Sequence, residues 1–418
     1  MTRQLPAPSR VLLPLGLAVC LSLFGDLTLY AVLVTQLDVV GLSLGSVGIM
    51  LGVNRLVRVP GNPLAGLLLD RWGRRPLFVV GMLLGVLSTA GYGLVRGFWP
   101  FLVARLGWGI AWTLINVGGM AMVLDVSRPT NRGRLVGLYN TWMLAGLALG
   151  PLVGGLLVDM IGFRPGLLIC AGITAVGLVV AVAALPETAH GRMANGEWRM
   201  ANSERRVANG DRRMANGEWR SAIGDTRLLT VAGLFLITQL AGEGVVFSTV
   251  SLLVQRCCGQ TVSLGPLALG VASAGGLLLA LRSLLAGGVG PLAGHVSDTP
   301  SGRWPVIVGS LVVGMLGFGL LSFATSLWAI VLGVMVSAVS GGAALATLAA
   351  QVGDLTPPGK EGVVMGAYAT AGDVGSTAGP FLAFALLSVA DLRWVYLLCT
   401  LAFVAGLGLV CNNTHARR

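Results

Sequence analysis

Charge is scarce in this 418-residue chain: Asp, Glu, Lys and Arg together make up only 11% of it. A soluble domain carries about 25%, so an ordinary water-soluble fold is excluded. Histidine is scarce too. The three His residues, at 190, 295 and 415, do not cluster with the six Cys at 20, 170, 257, 258, 399 and 411. No C-x-x-C pair occurs, and no metal site is expected. Cys257 and Cys258 are adjacent, a poor arrangement for a mutual bridge, so all six are read as free thiols. A G-x-x-x-x-G-K-[ST] loop is missing, which removes nucleotide binding of that type. Nothing resembles a nucleophile–base pair or a cofactor cradle.

Apolar residues fill the space that charge leaves. They make up 55% of the chain, and the mean hydropathy is +0.83. A helix needs about 20 apolar residues to span a bilayer. Apolar runs are found at 11–35, 44–69, 77–95, 99–124, 135–158, 165–185, 228–253, 265–294, 304–324, 327–351, 363–388 and 392–411, which predicts twelve spans. The first is too long for the apolar core of a cleavable signal, and more spans follow it. Glycine is abundant, 62 residues, and lets helices approach closely in lipid. The expected fold is therefore an all-α membrane protein.

The formal charge of +11 does not imply a nucleic-acid partner, because the basic residues sit in short loops between spans. With the N-terminus in the cytoplasm, twenty Lys and Arg lie on the cytoplasmic side. Only Arg96, Arg164, Arg256 and Arg393 lie opposite. The positive-inside rule then places both termini in the cytoplasm.

The chain repeats itself. Pro-Leu-Ala-Gly at 63–66 recurs at 291–294, and each copy ends an apolar span and begins a basic turn. The first turn reads Gly66-Leu67-Leu68-Leu69-Asp70-Arg71-Trp72-Gly73-Arg74-Arg75. The second reads Gly294-His295-Val296-Ser297-Asp298-Thr299-Pro300-Ser301-Gly302-Arg303. Further on, Asp125/Asp354, Gly133/Gly362, Tyr139/Tyr368, Gly146/Gly375, Gly150/Gly379 and Pro151/Pro380 match at an offset of 229. Two six-helix bundles, 1–185 and 228–418, are thus expected around a linker at 186–227. The linker holds five seven-residue units, most close to Arg-Met-Ala-Asn-Gly-Glu-Trp. Asn and Gly recur in each unit and no a/d apolar pair exists, so a flexible tether is favoured over a coiled coil. Duplicated membrane bundles are mostly transporters with a site between the halves.

The turn G-x-x-x-D-R-x-G-R-R resembles the signature between helices 2 and 3 of the major facilitator superfamily, and the resemblance covers nearly all the chain outside the linker. It implies that Gly66, Asp70, Arg71, Gly73, Arg74 and Arg75 latch the two halves in the outward-open state. Physically, Asp70 can accept hydrogen bonds from the exposed backbone at a helix start. The second copy, with Asp298 and Arg303, departs from the pattern at Thr299. Helix 5 carries Gly146, Gly150, Pro151, Gly154 and Gly155, similar to the antiporter signature of the drug:proton antiporter branch. Arg105 on helix 4 lies in an R-x-x-x-G element that the family associates with proton transfer. The branch implies a monomer in a bacterial inner membrane.

Seven charges fall inside spans: Asp26, Arg55, Arg58, Arg105, Glu243, Arg282 and Asp373. Each costs at least ~2.5 kcal/mol near the bilayer centre, so they should face the interior. Asp26 and Glu243 occupy matching places in helices 1 and 7, about 22 Å from the cytoplasmic end at 1.5 Å per residue. Arg55, about 17 Å from the other face, is expected to meet Asp26. A buried carboxyl can hold a proton near neutral pH, and a neighbouring Arg opposes that. Asp26 is the first choice for a proton site, with Glu243 and Asp373 as alternatives. Fixed ion pairs that only hold the bundle together are the plainer reading of these residues.

The chain is expected to work by alternating access, exporting a small amphipathic compound in exchange for protons. Proton-coupled uptake or exchange of a sugar or organic anion is the alternative, favoured by the four intramembrane Arg. A sensor that kept the fold would need an added domain, which a 42-residue linker of repeats does not supply.

Overall fold

A computed structural model of the chain describes residues 8–128, 131–188, 226–264, 267–299, 302–356 and 361–415. Apart from Thr226, the seven-residue units lie outside the described residues. Twelve long helices are found among them. The first half holds α1 Pro8–Val32, α2 Leu44–Trp72, α3 Arg74–Leu94, α4 Phe98–Asp125, α5 Arg132–Ile161 and α6 Phe163–Ala184. The second holds α7 Thr226–Cys258, then α8 Val271–Ser297, α9 Arg303–Ser322, α10 Leu327–Leu355, α11 Glu361–Leu386 and α12 Leu392–His415. Ten are long and apolar enough to cross a membrane; α2 and α11 are not among those ten. These two carry Arg55, Arg58 and Asp373, and they pack against each other.

The helices begin and end close to the expected places, with one exception. Of the run expected to open α8 at residue 265, Leu267–Gly270 instead forms strand β2, paired antiparallel with β1 Thr261–Leu264 and registered Thr261 to Gly270, and the helix begins at Val271. Gly259, at φ 78°, ends α7, and Thr261 and Val262 favour extended backbone. Apolar content alone cannot tell a short strand from a helix start. Gly73 and Gly302, at φ 92° and 78°, turn the chain between α2 and α3 and between α8 and α9. A side chain there would be strained.

The halves meet along two seams, α5 with α8 and α2 with α11. Call the side of the two basic turns the basic face and the opposite side the far face. Near the far face the seams are tight. A Cβ at Gly48 would lie 2.7 Å from the Pro380 carbonyl oxygen, and one at Gly155 would collide with the Ala272 carbonyl. Tyr30 of α1 meets Phe247 of α7 edge-on, with ring centroids 6.1 Å apart. Asp159 at the end of α5 accepts the Ser273 backbone N–H of α8 at 2.7 Å and its hydroxyl at 2.5 Å.

Toward the basic face the same four helices separate. Gly66 of α2, Gly133 and Gly137 of α5, Gly294 of α8 and Gly366 of α11 have no atom within 4 Å of a built Cβ. Leu64, Leu67, Leu292 and Val296 are exposed. The bundle is closed at the far face and open at the basic one.

Candidate functional site

Two polar groups lie between the seams. The first belongs to the first half. Arg105 of α4 is wholly buried and pairs through Nη1 with Oδ1 of Asp26 on α1. Its Nε donates to the Met50 carbonyl oxygen of α2 at 2.6 Å, and Nη1 lies 3.4 Å from the Tyr92 hydroxyl of α3. Asn54 of α2 donates to the same Asp26 oxygen at 3.4 Å. Asp26 is thereby held from two other helices. Guanidinium is suited to this, since its fixed fork reaches several acceptors at once.

The second group crosses between the halves. Glu243 of α7 lies 3.0 Å from Nη1 of Arg282 on α8 and 3.8 Å from Nη2 of Arg55 on α2. Arg58, one turn below Arg55, lies 3.5 Å from Asp373 of α11. Arg55 also donates from Nε to the Tyr30 hydroxyl at 3.3 Å. The Arg282 guanidinium sits 4.9 Å from the centre of the Phe247 ring, close enough for a cation–π contact. Glu243 stands in a π-helical stretch of α7, Leu240–Val246, the kind of local widening that often marks functional sites. The side chains of Glu243 and Asp373 are 29% and 26% exposed, against 9% for Asp26.

The expected meeting of Arg55 with Asp26 is corrected here. Arg55 turns to Glu243 and Tyr30, and Arg105 takes Asp26. Depth along a helix follows from residue count, but the direction in which a side chain points depends on how the helices pack. The seven intramembrane charges are otherwise all placed: three acids, each with an Arg partner, and Arg55 shared onto Glu243. An open apolar groove of about 380 Å³ lies between α2 and α11, lined by Leu56, Val59, Val374, Phe381 and Leu382 among others; neither Arg58 nor Asp373 is part of its lining.

At the basic face, Asp70 pairs with Arg74 at 2.7 Å, and Arg74 Nε donates to Asp125 at 3.3 Å. Arg75 donates to the Val182 carbonyl oxygen at 2.6 Å, while Arg71 is exposed. At the start of α3 the backbone N–H groups of Arg74 and Arg75 donate to the carboxylate of Glu187, at 3.1 Å each. Sequence reasoning missed Glu187, since more than a hundred residues separate it from the turn it caps. The second half repeats the trio. Arg303 pairs with Asp354 and lies 3.2 Å from Asp298, despite Thr299.

The helix 5 glycines divide between two neighbours. Built Cβ atoms at Gly146 and Gly150 would lie 2.8 Å and 3.1 Å from carbonyl oxygens of Cys20 and Leu23 on α1, and Gly154 abuts Thr28. Gly155 and the carbonyl of Pro151 instead face α8, at Ala272 and Gly276. The motif thus brings α5 against α1 within its own half and against α8 across the seam.

Duplicated halves closed at one face and open at the other, with a polar cluster at mid-depth, form the architecture of a membrane transporter. The family profile described as Major Facilitator Superfamily matches residues 15–280 and 261–412, and the chain belongs to that family. Multidrug resistance protein MdtG of Dickeya zeae (strain Ech586) is 32% identical over 125 residues, 30% of this chain and 30% of that protein. Multidrug resistance protein MdtH of Enterobacter sp. (strain 638) is 32% identical over 147 residues, 35% of each. The probable L-galactonate transporter of Escherichia coli (strain K12) is 31% identical over 140 residues, 34% of this chain and 31% of that protein. The chain spans about a third of the length of these curated relatives. Among solved structures, a bacterial homolog of the human lysosomal transporter Spinster, inward-facing and occupied, superposes with a TM-score of 0.75. It is 15% identical, with 99% of this chain and 98% of that one covered. At such identity the likeness is one of fold.

Proposed function

We propose that this transporter exports a small amphipathic compound in exchange for protons, as a monomer in a bacterial inner membrane with both termini in the cytoplasm. On this reading the basic face is cytoplasmic, and residues 1–185 rock against 228–411 to alternate access. The observation that carries it is the pair of ion contacts joining the halves at mid-depth, Arg55–Glu243 and Arg58–Asp373. These contacts must rearrange whenever the halves move, so any solute or proton that competes for them is coupled to the motion. The apolar groove between α2 and α11 offers a surface to the greasy part of an amphipathic solute. The complete helix 5 motif and the two relatives named for multidrug resistance support export.

Asp26 is the proton site of this scheme. It is the most buried of the three acids, and Arg105 is its competitor for the charged form. A proton on Asp26 weakens the pull on Arg105 and loosens α1 from α4, on the wall that faces the second half. The test is proton flux in proteoliposomes, started by a substrate gradient after a compound panel has supplied a hit. Wild type is expected to move protons against substrate, and Asp26→Asn to retain binding while losing proton movement. Substrate-driven flux of undiminished size in Asp26→Asn would remove Asp26 from the scheme.

A further inference from the structure

The acids and bases at mid-depth do not balance. Among the described residues, the acids paired with Arg55, Arg58, Arg105 and Arg282 are Asp26, Glu243 and Asp373 alone. One guanidinium is in excess, in a setting where an unmatched charge is costly. The excess is not spread evenly. Arg105 has a close partner in Asp26 and a carbonyl acceptor in Met50. Arg55 and Arg282 share one carboxylate, Glu243, and the Arg55 contact is long at 3.8 Å.

Unused donors mark the same place. Nε of Arg282, on a side chain only 3% exposed, has no acceptor among the described residues; Nε of Arg58 and Nη2 of Arg105 are likewise without one, but Arg105 is already held by Asp26 and Met50. A guanidinium presents five N–H groups and takes a carboxylate best through two of them. Glu243 gives Arg282 one contact through Nη1. It is also the most exposed of the three acids, and it rides on the π-helical stretch of α7, a local widening frequent at functional sites.

We propose that the substrate carries an anionic group, of carboxylate size, which binds between Arg55 of the first half and Arg282 of the second in place of Glu243. Glu243 is then an internal stand-in for the substrate. It neutralises the two guanidiniums while the site is empty and swings toward the open face when an organic anion arrives. The anion joins the halves more firmly than Glu243 does, because it can reach the unused N–H groups. Phe247 and Tyr30 lie under the two guanidiniums and meet each other at the far-face closure. Occupancy of the Arg pair is therefore transmitted to that closure. This rests on the reading of the chain as a carrier of amphipathic compounds, and it names the charge that such a compound bears.

The test uses the full chain in nanodiscs with three probes of one apolar body: octanoate, octanamide and octylamine. Thermal stabilisation is read against concentration. Octanoate is expected to stabilise the wild type at concentrations roughly tenfold below the other two. Glu243→Gln removes the competitor, so octanoate should bind roughly tenfold more tightly to it, and Arg282→Gln should abolish the difference between octanoate and octanamide. Equal effects of the three probes on the wild type, or preference for the amine, overturns the proposal without any variant. Weaker octanoate binding to Glu243→Gln overturns the stand-in role. Flux separates this from the wider reading: if the amine is exported with proton exchange and the carboxylate is not, export survives and the anion site fails. If octanoate binds as expected but no probe crosses the membrane, the export reading fails and the anion site stands.

Discussion

Arg105 is the most enclosed charge among the described residues, and its loss should be felt first as instability. Arg105→Ala leaves the Asp26 carboxylate buried with Asn54 as its remaining side-chain partner. Breaking one side of a buried pair costs about 3–5 kcal/mol, so the variant should melt at clearly lower temperature in detergent. Arg105→Lys keeps the charge but cannot serve Met50, Tyr92 and Asp26 together. It should recover part of the stability while transport stays low. An unchanged melting temperature in Arg105→Ala would show that the pair contributes nothing to the fold. This pairing also marks how far the sequence can be read. That Asp26 and Glu243 lie at matching depths, with Arg55 within reach of that level, follows from counting residues along helices. That Arg105, and not Arg55, faces Asp26 depends on the rotation of α2 and α4 about their own axes, which is set by long-range packing. Glu187 was unreadable for the same reason, since a cap supplied from the far end of a bundle leaves no local pattern.

Elements carry the next level of control, and α5 is the clearest case. The repeated glycines and Pro151 were legible as a motif, and so was the duplication with α11. Which glycine faces which neighbour was not, because small residues on several sides of a helix give no single apolar stripe to read. Gly155 and Asp159 turn out to hold the far-face end of α5 against α8. The Asp159 carboxylate binds the first turn of α8, where an anion is favoured by the exposed N–H groups. Losing such a cap costs about 0.5–2 kcal/mol, and only the far-closed arrangement contains it. Asp159→Ala should therefore raise the population in which the far face is open by several-fold. Spin labels at Met160 and Gln260, in a cysteine-free background, should report a growing long-distance component. Gly155→Val should act in the same direction by pushing against Ala272. If the distance distribution does not move in either variant, the α5–α8 contact is not a determinant of the closed far face.

At the scale of the whole molecule, the duplicated trios Asp70–Arg74–Asp125 and Asp298–Arg303–Asp354 are what the two halves share on the open face. Each trio lies within its own half, so neither bridges the halves while the basic face is open. The Asp70 side chain is 70% exposed, and its pairing with Arg74 contributes at most about 1 kcal/mol to stability. An acid so placed contributes little to this conformation; we propose that its latch role is exercised when α2 and α11 close at the basic face. The two roles separate by experiment. Asp70→Asn should insert normally and melt within a degree or two of the wild type. Its transport rate should nevertheless fall by roughly tenfold or more, a loss of about 1.4 kcal/mol, and spin labels across the basic face should show the open arrangement enriched. Arg74→Ala severs two acids at once, and it should lower both melting temperature and rate. A normal rate in Asp70→Asn would remove the latch and leave the basic turn with orientation as its only role. A slowed variant with an unchanged balance of conformations would place Asp70 in a step other than closure.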